Sequence, residues 1–442
     1  MCGIFGFLGN RSAAPLLVEG LRKLEYRGYD SSGIVVKNDN LQVHKIVGKV
    51  SELSKILPNH IDGNIGIAHT RWATHGLVTN ENAHPHLNSD GTVALVHNGI
   101  IDNARGIRTR LESKGIQLRS ETDSETLVHM ITIGLNSGQE PLEAVRQTLK
   151  RVTGTWGLCV LFKDHDLIIC ARNGSPLIIG KGDDETFVSS DPHALSQHTQ
   201  NIFFLEDGDM AVITKSGIDI TRLEGGSSDT SITVLEEEWG EAEMAGYPHY
   251  MLKEIHEQPE ALRRCISGRL DYKNGSSKLG GLKLEPVRLH SATHVRLIGC
   301  GTALNACKIG QLAIENLARI PAVAHVASEF RYNNSVINPN AIHFAVSQSG
   351  ETADTLSAVK EIQLKGGSVH GIVNVVGSSI ARLCGQGVYI HSGPEQAVAS
   401  TKAFTNMVGA LLLFAIRMGR TRSFSREKGQ LIVKNFEKIP VL

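Results

Sequence analysis

The chain opens MCGIFGFLGN, residues 1–10, and the reading of its cysteine decides the fold of everything up to about residue 239. A methionine ahead of a residue as small as cysteine is normally excised during synthesis. Loss of Met1 leaves Cys2 with a free α-amine and a thiol on the same residue. The amine titrates at about 7.7–8.0 and the thiol at about 8.5, so the nucleophile carries its own base and the proton passes between them at little cost near neutrality. The plainer alternative is a small buried hydrophobe that starts a strand. Position alone favours that alternative, and the surrounding sequence decides against it.

Three stretches downstream gather polar chemistry: HTRWATHG at 69–76, VHNGI at 96–100 and SETDSE at 120–125. Acyl transfer through a thiol needs donors for the developing oxyanion and countercharges that grip the substrate. Asn98 and Gly99 follow a strand, where a glycine lets a backbone N–H approach a reacting carbonyl closely. Arg71 offers a planar fork to a carboxylate and Asp123 an anion to an ammonium group, a pairing that suits an amino-acid substrate. Each also has an ordinary role: Arg71 in a surface ion pair, Asn98-Gly99 in a tight turn, Asp123 as a helix cap. Their combination behind an N-terminal thiol points to catalysis.

Composition narrows the class. At 442 residues the chain is long enough for two packed units. Lys plus Arg and Asp plus Glu are 45 each, which leaves no long-range field for nucleic acid or an anionic membrane. Seven cysteines without a CxxC pair do not form a disulfide framework or a zinc ribbon, and a reducing cytoplasm fits best. The longest apolar run, 407–416, is half the length of a membrane span.

The halves differ in pattern. Up to about residue 239, short apolar segments separated by turns (4–8, 33–36, 43–47, 65–69, 93–96, 156–162, 167–171, 177–179, 187–189, 210–213) predict a mostly antiparallel α+β domain. Residues 37–40, KNDN, read as a hairpin turn; helical spacing shows only around Ile107 and Leu111 and over 124–135, capped by Thr122 and Asp123. Residues 240–249 read as a linker. From 250 to 442, strands at 295–298, 323–326, 342–346, 369–373 and 388–390 alternate with helices at 302–317, 352–364 and 402–418, which predicts a doubly wound parallel sheet; 274–281 reads as a surface loop.

MCGI, EYRGYDSSG (25–33), HTRWATHG, NAHPH (82–86), HNGII and SETD resemble the glutaminase domain of the class II glutamine amidotransferases over essentially residues 2–239. The resemblance implies an N-terminal-nucleophile (Ntn) αββα sandwich in which Cys2 attacks the glutamine amide. It implies that the Asn98 side chain and the Gly99 N–H form the oxyanion hole and that Arg71 and Asp123 hold the amino-acid end. Trp72 would help gate the route by which ammonia leaves, with Thr74 and His75 in the same glutamine loop. His84 and His86 flank Pro85 without a third evident ligand, so they are read as structural and no metal is expected.

In the second half, GCGTALN (299–305), SQSGET (347–352) and ASTK (399–402) each follow a predicted strand. A loop leaving a parallel strand for a helix presents backbone N–H groups and a positive dipole end, and hydroxyl side chains there complete a small phosphate cradle. Ordinary N-capping is the alternative for any one such loop. No GxGxxG or GxxxxGK[ST] is present, which disfavours dinucleotides and nucleoside triphosphates. With ASEFRY (327–332) and VASTKAFT (398–405), these loops resemble the sugar isomerase (SIS) domain of the glutamine:fructose-6-phosphate aminotransferase family, from about 250 to 418. That resemblance places a sugar phosphate against Thr302, Ser347, Gln348, Ser349 and Thr352, with Val398 and Ser400 lining the same pocket. It implies transfer of the glutamine amide nitrogen to fructose 6-phosphate, giving glucosamine 6-phosphate and glutamate for amino-sugar synthesis, without a metal or organic cofactor. The expected partners are these small molecules and further copies of the chain, as a dimer or larger.

Two departures bear on this. The family's CGTS is here Cys300-Gly301-Thr302-Ala303, so a hydroxyl near the sugar phosphate is missing. The family also carries a second SIS domain and a tail that supply the isomerising groups, whereas this sequence stops at Leu442; aminosugar formation by it is therefore expected to be slow or absent while glutamine is still hydrolysed. A chain limited to glutaminase activity and sugar-phosphate binding, and an amidotransferase with another acceptor, are the competing readings.

Overall fold

GIFGFL, the run behind Cys2, becomes the strand Gly3–Leu8 at the heart of an antiparallel sheet in the computed structural model, which describes residues 2–73, 76–234 and 244–441. Its alternation sorts side chains to two faces, as the period of two in a strand requires. Phe5 and Phe7 face a helical layer with Leu17, Leu21 and Leu24, while Ile4 and Leu8 face a second sheet with Val96, Cys159, Leu161 and Ile213. Burying each of these large side chains stabilises the unit by about 2–3 kcal/mol.

The first sheet runs, edge to edge, Ile232–Val234, Asn201–Phe204, Ile178–Lys181, Thr186–Ser189, Gly3–Leu8, Ile65–Arg71, Ser31–Lys37, Leu41–Val47. The second runs Gly217–Arg222, Asp209–Thr214, Leu167–Asn173, Gly154–Phe162, Val93–Ile101, His86–Leu87. Helices Ala13–Leu24 and Val50–Ile56 cover the first sheet; Ser124–Asn136 and Pro141–Leu149 cover the second. The unit spanning 1–239 is thus an αββα sandwich of the Ntn type.

Helices are more numerous here than the sequence pattern predicts. Ala13–Leu24 escapes detection because Pro15 and Gly20 interrupt it, yet both fit: the proline lies in the first turn, where no intrahelical donor is lost, and a Cβ on Gly20 would come 2.3 Å from the Phe5 ring. The KNDN hairpin forms, with Lys37 paired to Leu41.

The unit spanning 240–442 carries a parallel five-stranded sheet in the order Ala322–Val326, Val295–Gly299, Ile342–Ser347, Val369–Val373, Gly387–Tyr389. The chain starts at the second position, goes to one edge and returns past its start, so the strand order reverses beside Val295–Gly299. That reversal opens a crevice at the carboxyl ends of Val295–Gly299 and Ile342–Ser347, the place where open α/β sheets bind ligands. The helix Lys402–Arg422 packs on Gly301–Ala318, with Leu411 so close to Gly310 that a Cβ there would lie 2.7 Å from its Cδ1. Residues 240–243 of the expected linker lie outside the described residues; the helix Tyr250–Ile266 then starts with its first turn bonded to His249 Nδ1. Its internal Pro259 hides it from periodicity. The expected surface loop at 274–281 is instead partly buried: Ser277 donates to Leu413 O at 2.6 Å and Leu279 is 3% exposed, because Ser276–Ser277 pairs with Leu270–Asp271 against the core.

Candidate active site

Gly3 pairs with Thr70 in the first sheet, which sets Cys2 beside Arg71 and Trp72 at the same sheet end. Cys2 is half-buried; its Sγ accepts from Trp72 N–H at 3.2 Å and lies 3.5 Å from Trp72 O. Burial pushes the thiol above its ordinary value, while the Trp72 N–H and the guanidinium groups of Arg71 and Arg27 pull it down. Removing its proton therefore costs more here than free-group values suggest.

The Cys2 carbonyl is held by two donors, Arg27 Nε at 3.2 Å and Asn98 Nδ2 at 3.1 Å. Arg27 in turn bonds the buried Asp191 at 3.0 Å, and Tyr26 O–H donates to the same carboxylate at 2.5 Å. Asp30 accepts from Ala73 N–H at 2.8 Å, fixing the chain just after Trp72, whose ring meets Tyr29 edge-on at 5.3 Å. Gly28 approaches so closely that a Cβ would lie 2.6 Å from Arg71 C. EYRGYD thus works as one bracket around Cys2 and Arg71. Sequence reading passed over Arg27, Asp30 and Asp191 individually; Asp191 carries no local signal at all.

Arg71 is buried rather than part of a surface ion pair, and its guanidinium donates to Leu77 O at 3.1 Å. The negative charges of Asp30, Asp123 and Glu121 act on it. Asp123 stands at the N-cap position of Ser124–Asn136 without capping: it accepts from Ile101 N–H at 2.8 Å instead. The backbone ahead of the helix is satisfied by Glu125, which accepts from Arg119 N–H and Ser120 N–H, each at 2.7 Å. Thr122 caps nothing either; its hydroxyl meets His86 Nε2 at 2.9 Å. The helix-cap reading of Thr122 and Asp123 is thereby corrected. Nor does Asn98-Gly99 make a tight turn: both lie within the strand Val93–Ile101, where Gly99 has φ 137° and a Cβ would strike Thr155 O at 2.1 Å. Cys2, Arg71, Trp72, Asn98, Gly99 and Asp123 are therefore gathered at one end of the sandwich; Thr74 and His75 lie outside the described residues. His84 packs on His69 at the same end and His86 meets His84 edge-on, and among the described residues no group of three or more His, Cys, Asp or Glu is placed to hold a metal.

In the second unit, Thr302 opens the helix Gly301–Ala318 and SQSGET leads into Ala353–Leu364 across the crevice. Thr352 sits at an N-cap position but makes no cap bond; its hydroxyl pairs with Ser347 Oγ at 3.0 Å. Ser347 Oγ and Ser349 Oγ accept from Gly350 N–H and Glu351 N–H at 3.0 and 3.2 Å. Asn374 ties this loop to the segment 393–403, which contains ASTK, donating to Gln348 O at 3.1 Å and Gly393 O at 2.9 Å. That segment keeps its shape through buried carboxylates, Glu254 on Gln396 N–H and Ala397 N–H and Glu395 on Thr401 N–H and Ala403 N–H. Ser400 Oγ is buried without a partner among the described residues, and Val398 is 63% exposed. Ala303 is buried in the first turn of its helix.

The sandwich with a cysteine at the mouth of its central strand, followed by a doubly wound SIS unit, defines a class II glutamine amidotransferase. A glutamine amidotransferase domain model matches residues 69–197 and the SIS domain model matches 288–417. The chain is 44% identical to the glutamine–fructose-6-phosphate aminotransferase (isomerizing) of Chlorobaculum tepidum, an alignment covering 100% of this chain and 73% of that protein. It is 43% identical to the protein of that name from Thermus thermophilus, with the same coverage. Among solved structures, the C-terminal domain of glucosamine-fructose-6-phosphate aminotransferase from Francisella tularensis is 33% identical, aligned over 45% of this chain and 56% of that one with a TM-score of 0.43. The chain belongs to the glutamine–fructose-6-phosphate aminotransferase (isomerizing) family.

Proposed function

We propose that the chain takes the amide nitrogen of glutamine and delivers it to fructose 6-phosphate, forming glutamate and glucosamine 6-phosphate. The observation that carries this is the meeting of the Cys2 thiol with Arg71, Asn98 and Asp123 at one end of the sandwich. With Met1 removed, the Cys2 amine accepts the thiol proton and the sulfur attacks the glutamine carbonyl. Asn98 Nδ2–H and Gly99 N–H receive the charge on the carbonyl oxygen. Collapse expels ammonia, taking a proton from the ammonium of Cys2, and water then cleaves the thioester to glutamate. Arg71 holds the substrate carboxylate and Asp123 its ammonium group, while Trp72 gates the exit of ammonia and Thr74 and His75 serve the same glutamine loop. In the second unit, Thr302, Ser347, Gln348, Ser349 and Thr352 cradle the phosphate, and Val398 and Ser400 line the sugar side. The ketone condenses with ammonia to an imine, losing water; a C1 proton then moves to C2 and the C1 hydroxyl proton passes to nitrogen, which gives the 2-amino aldose. A homo-oligomer belongs to the same reading and is checked by light scattering.

Glutamate release from glutamine by the chain and by Cys2→Ala tests the first half-reaction. The variant should show no release above background; a variant that retains near-normal release removes Cys2 from the mechanism.

A further inference from the structure

The strand Ile65–Arg71 sends His69 inward, fully buried, against the residue assigned to the oxyanion hole. Its Nε2 stands 3.2 Å from His97 O and 3.0 Å from Asn98 Oδ1. A carbonyl oxygen only accepts, so Nε2 carries the ring proton and donates to both. The Asn98 amide is then fixed: Oδ1 faces the imidazole, and Nδ2 faces the Cys2 carbonyl at 3.1 Å. An amide nitrogen has two hydrogens. Among the described residues only Cys2 O accepts from Nδ2, so the second hydrogen is left for a ligand.

We infer that His69 is a positioning residue, which by donating Nε2–H to Asn98 Oδ1 aims the free Nδ2–H of Asn98 at the oxyanion. This rests on the proposed role of Asn98. The ring is itself supported from behind, where His84 packs on it with centroids 4.2 Å apart and His86 packs on His84 at 4.5 Å. Among the described residues, both nitrogens of His84 and Nδ1 of His69 are buried without partners, which keeps these rings neutral; burial draws His69 down to about 3. A protonated His69 would still donate through Nε2, but it would place a charge in a fully buried stack of imidazoles. Lys45 Nζ fastens the supporting loop by donating to Ala83 O at 2.7 Å and Pro85 O at 3.3 Å.

The test compares His69→Leu, which fills the space without a donor, with His69→Gln, whose amide N–H reaches the place of Nε2. Loss of one oxyanion donor lowers kcat by about 10²–10³. His69→Leu should fall by about that factor in glutaminase kcat, with KM for glutamine within about threefold, and His69→Gln should recover most of the loss. Alkylation of Cys2 by iodoacetamide, a displacement at carbon that builds no charge on a carbonyl oxygen, should proceed at the parent rate in both. In an Asn98→Ala background, His69→Leu should add no further loss. Additive losses, equal damage from Leu and Gln, or alkylation slowed in step with kcat would overturn the inference and leave His69 a packing residue. Should His69→Leu fail to fold, His69→Asn replaces it, since its shorter amide reaches only the place of Nδ1. Normal kcat in the His69 variants with an inactive Cys2→Ala overturns the inference alone; an active Cys2→Ala overturns the reading beneath it.

Discussion

Arg71 illustrates what a single residue can and cannot announce. Arg71 is 3% exposed and lies in the field of Asp30, Asp123 and Glu121, and taking a guanidinium that far out of water costs several kcal/mol unless opposite charge repays it. Arg71→Ala should raise the glutamine KM by at least about thirtyfold, the low end of the 2–5 kcal/mol lost when a buried charged contact is broken, with a smaller change in kcat. Steady-state kinetics check it, and an unchanged KM places Arg71 outside the site. Cys2, Arg71, Asn98 and Asp123 are legible in the sequence because their chemistry follows from residue type and mutual clustering. His69 is not, because a histidine in the run IGIAHTR reads as a core residue until its Nε2 is seen on Asn98. Asp191 is a further case, since 160 or more residues separate it from the Tyr26 and Arg27 that it holds.

At the scale of elements, strands were easier to read than helices. GIFGFL and the VALVH start of Val93–Ile101 stand out as short unbroken apolar runs because both faces of each strand are buried, whereas Ala13–Leu24 and Tyr250–Ile266 contain prolines whose places only the tertiary setting makes acceptable. In the proposed function, the loop before Ala353–Leu364 is the element that carries the sugar phosphate. Its Thr352 hydroxyl pairs with Ser347 rather than capping, which leaves the helix start open to an anion, and a hydroxyl that makes one bond has capacity for a second. Thr352→Ala should weaken fructose 6-phosphate binding by about tenfold, the worth of one hydrogen bond to a charged group, and fructose lacking the phosphate should not bind measurably. Titration calorimetry with both sugars decides this. Equal affinity for the two would refute the cradle.

Across the whole molecule, neutral histidines are buried in both units: His69 is drawn down to about 3, and His343 and His370 to about 4, each by burial. Unfolded, each takes up a proton below about 6.5, while the folded chain does not, so stability is present above that value and falls as the pH drops. Each such histidine should remove about 2 kcal/mol between pH 7 and pH 5. Denaturant midpoints at the two pH values measure the sum, and His370→Phe should flatten the trend; a midpoint independent of pH would show these rings charged or exposed. Neither the net charge of zero nor the two-unit architecture distinguishes this account from its rivals, because both would serve any acceptor. What distinguishes it is the covalent step at Cys2. The most direct measurement is intact mass and peptide mapping of the protein quenched in acid during glutamine turnover. The account predicts that Met1 is absent and that a γ-glutamyl thioester sits on Cys2, vanishing in Cys2→Ala; an adduct on another residue, or turnover with Cys2 unmodified throughout, would contradict it.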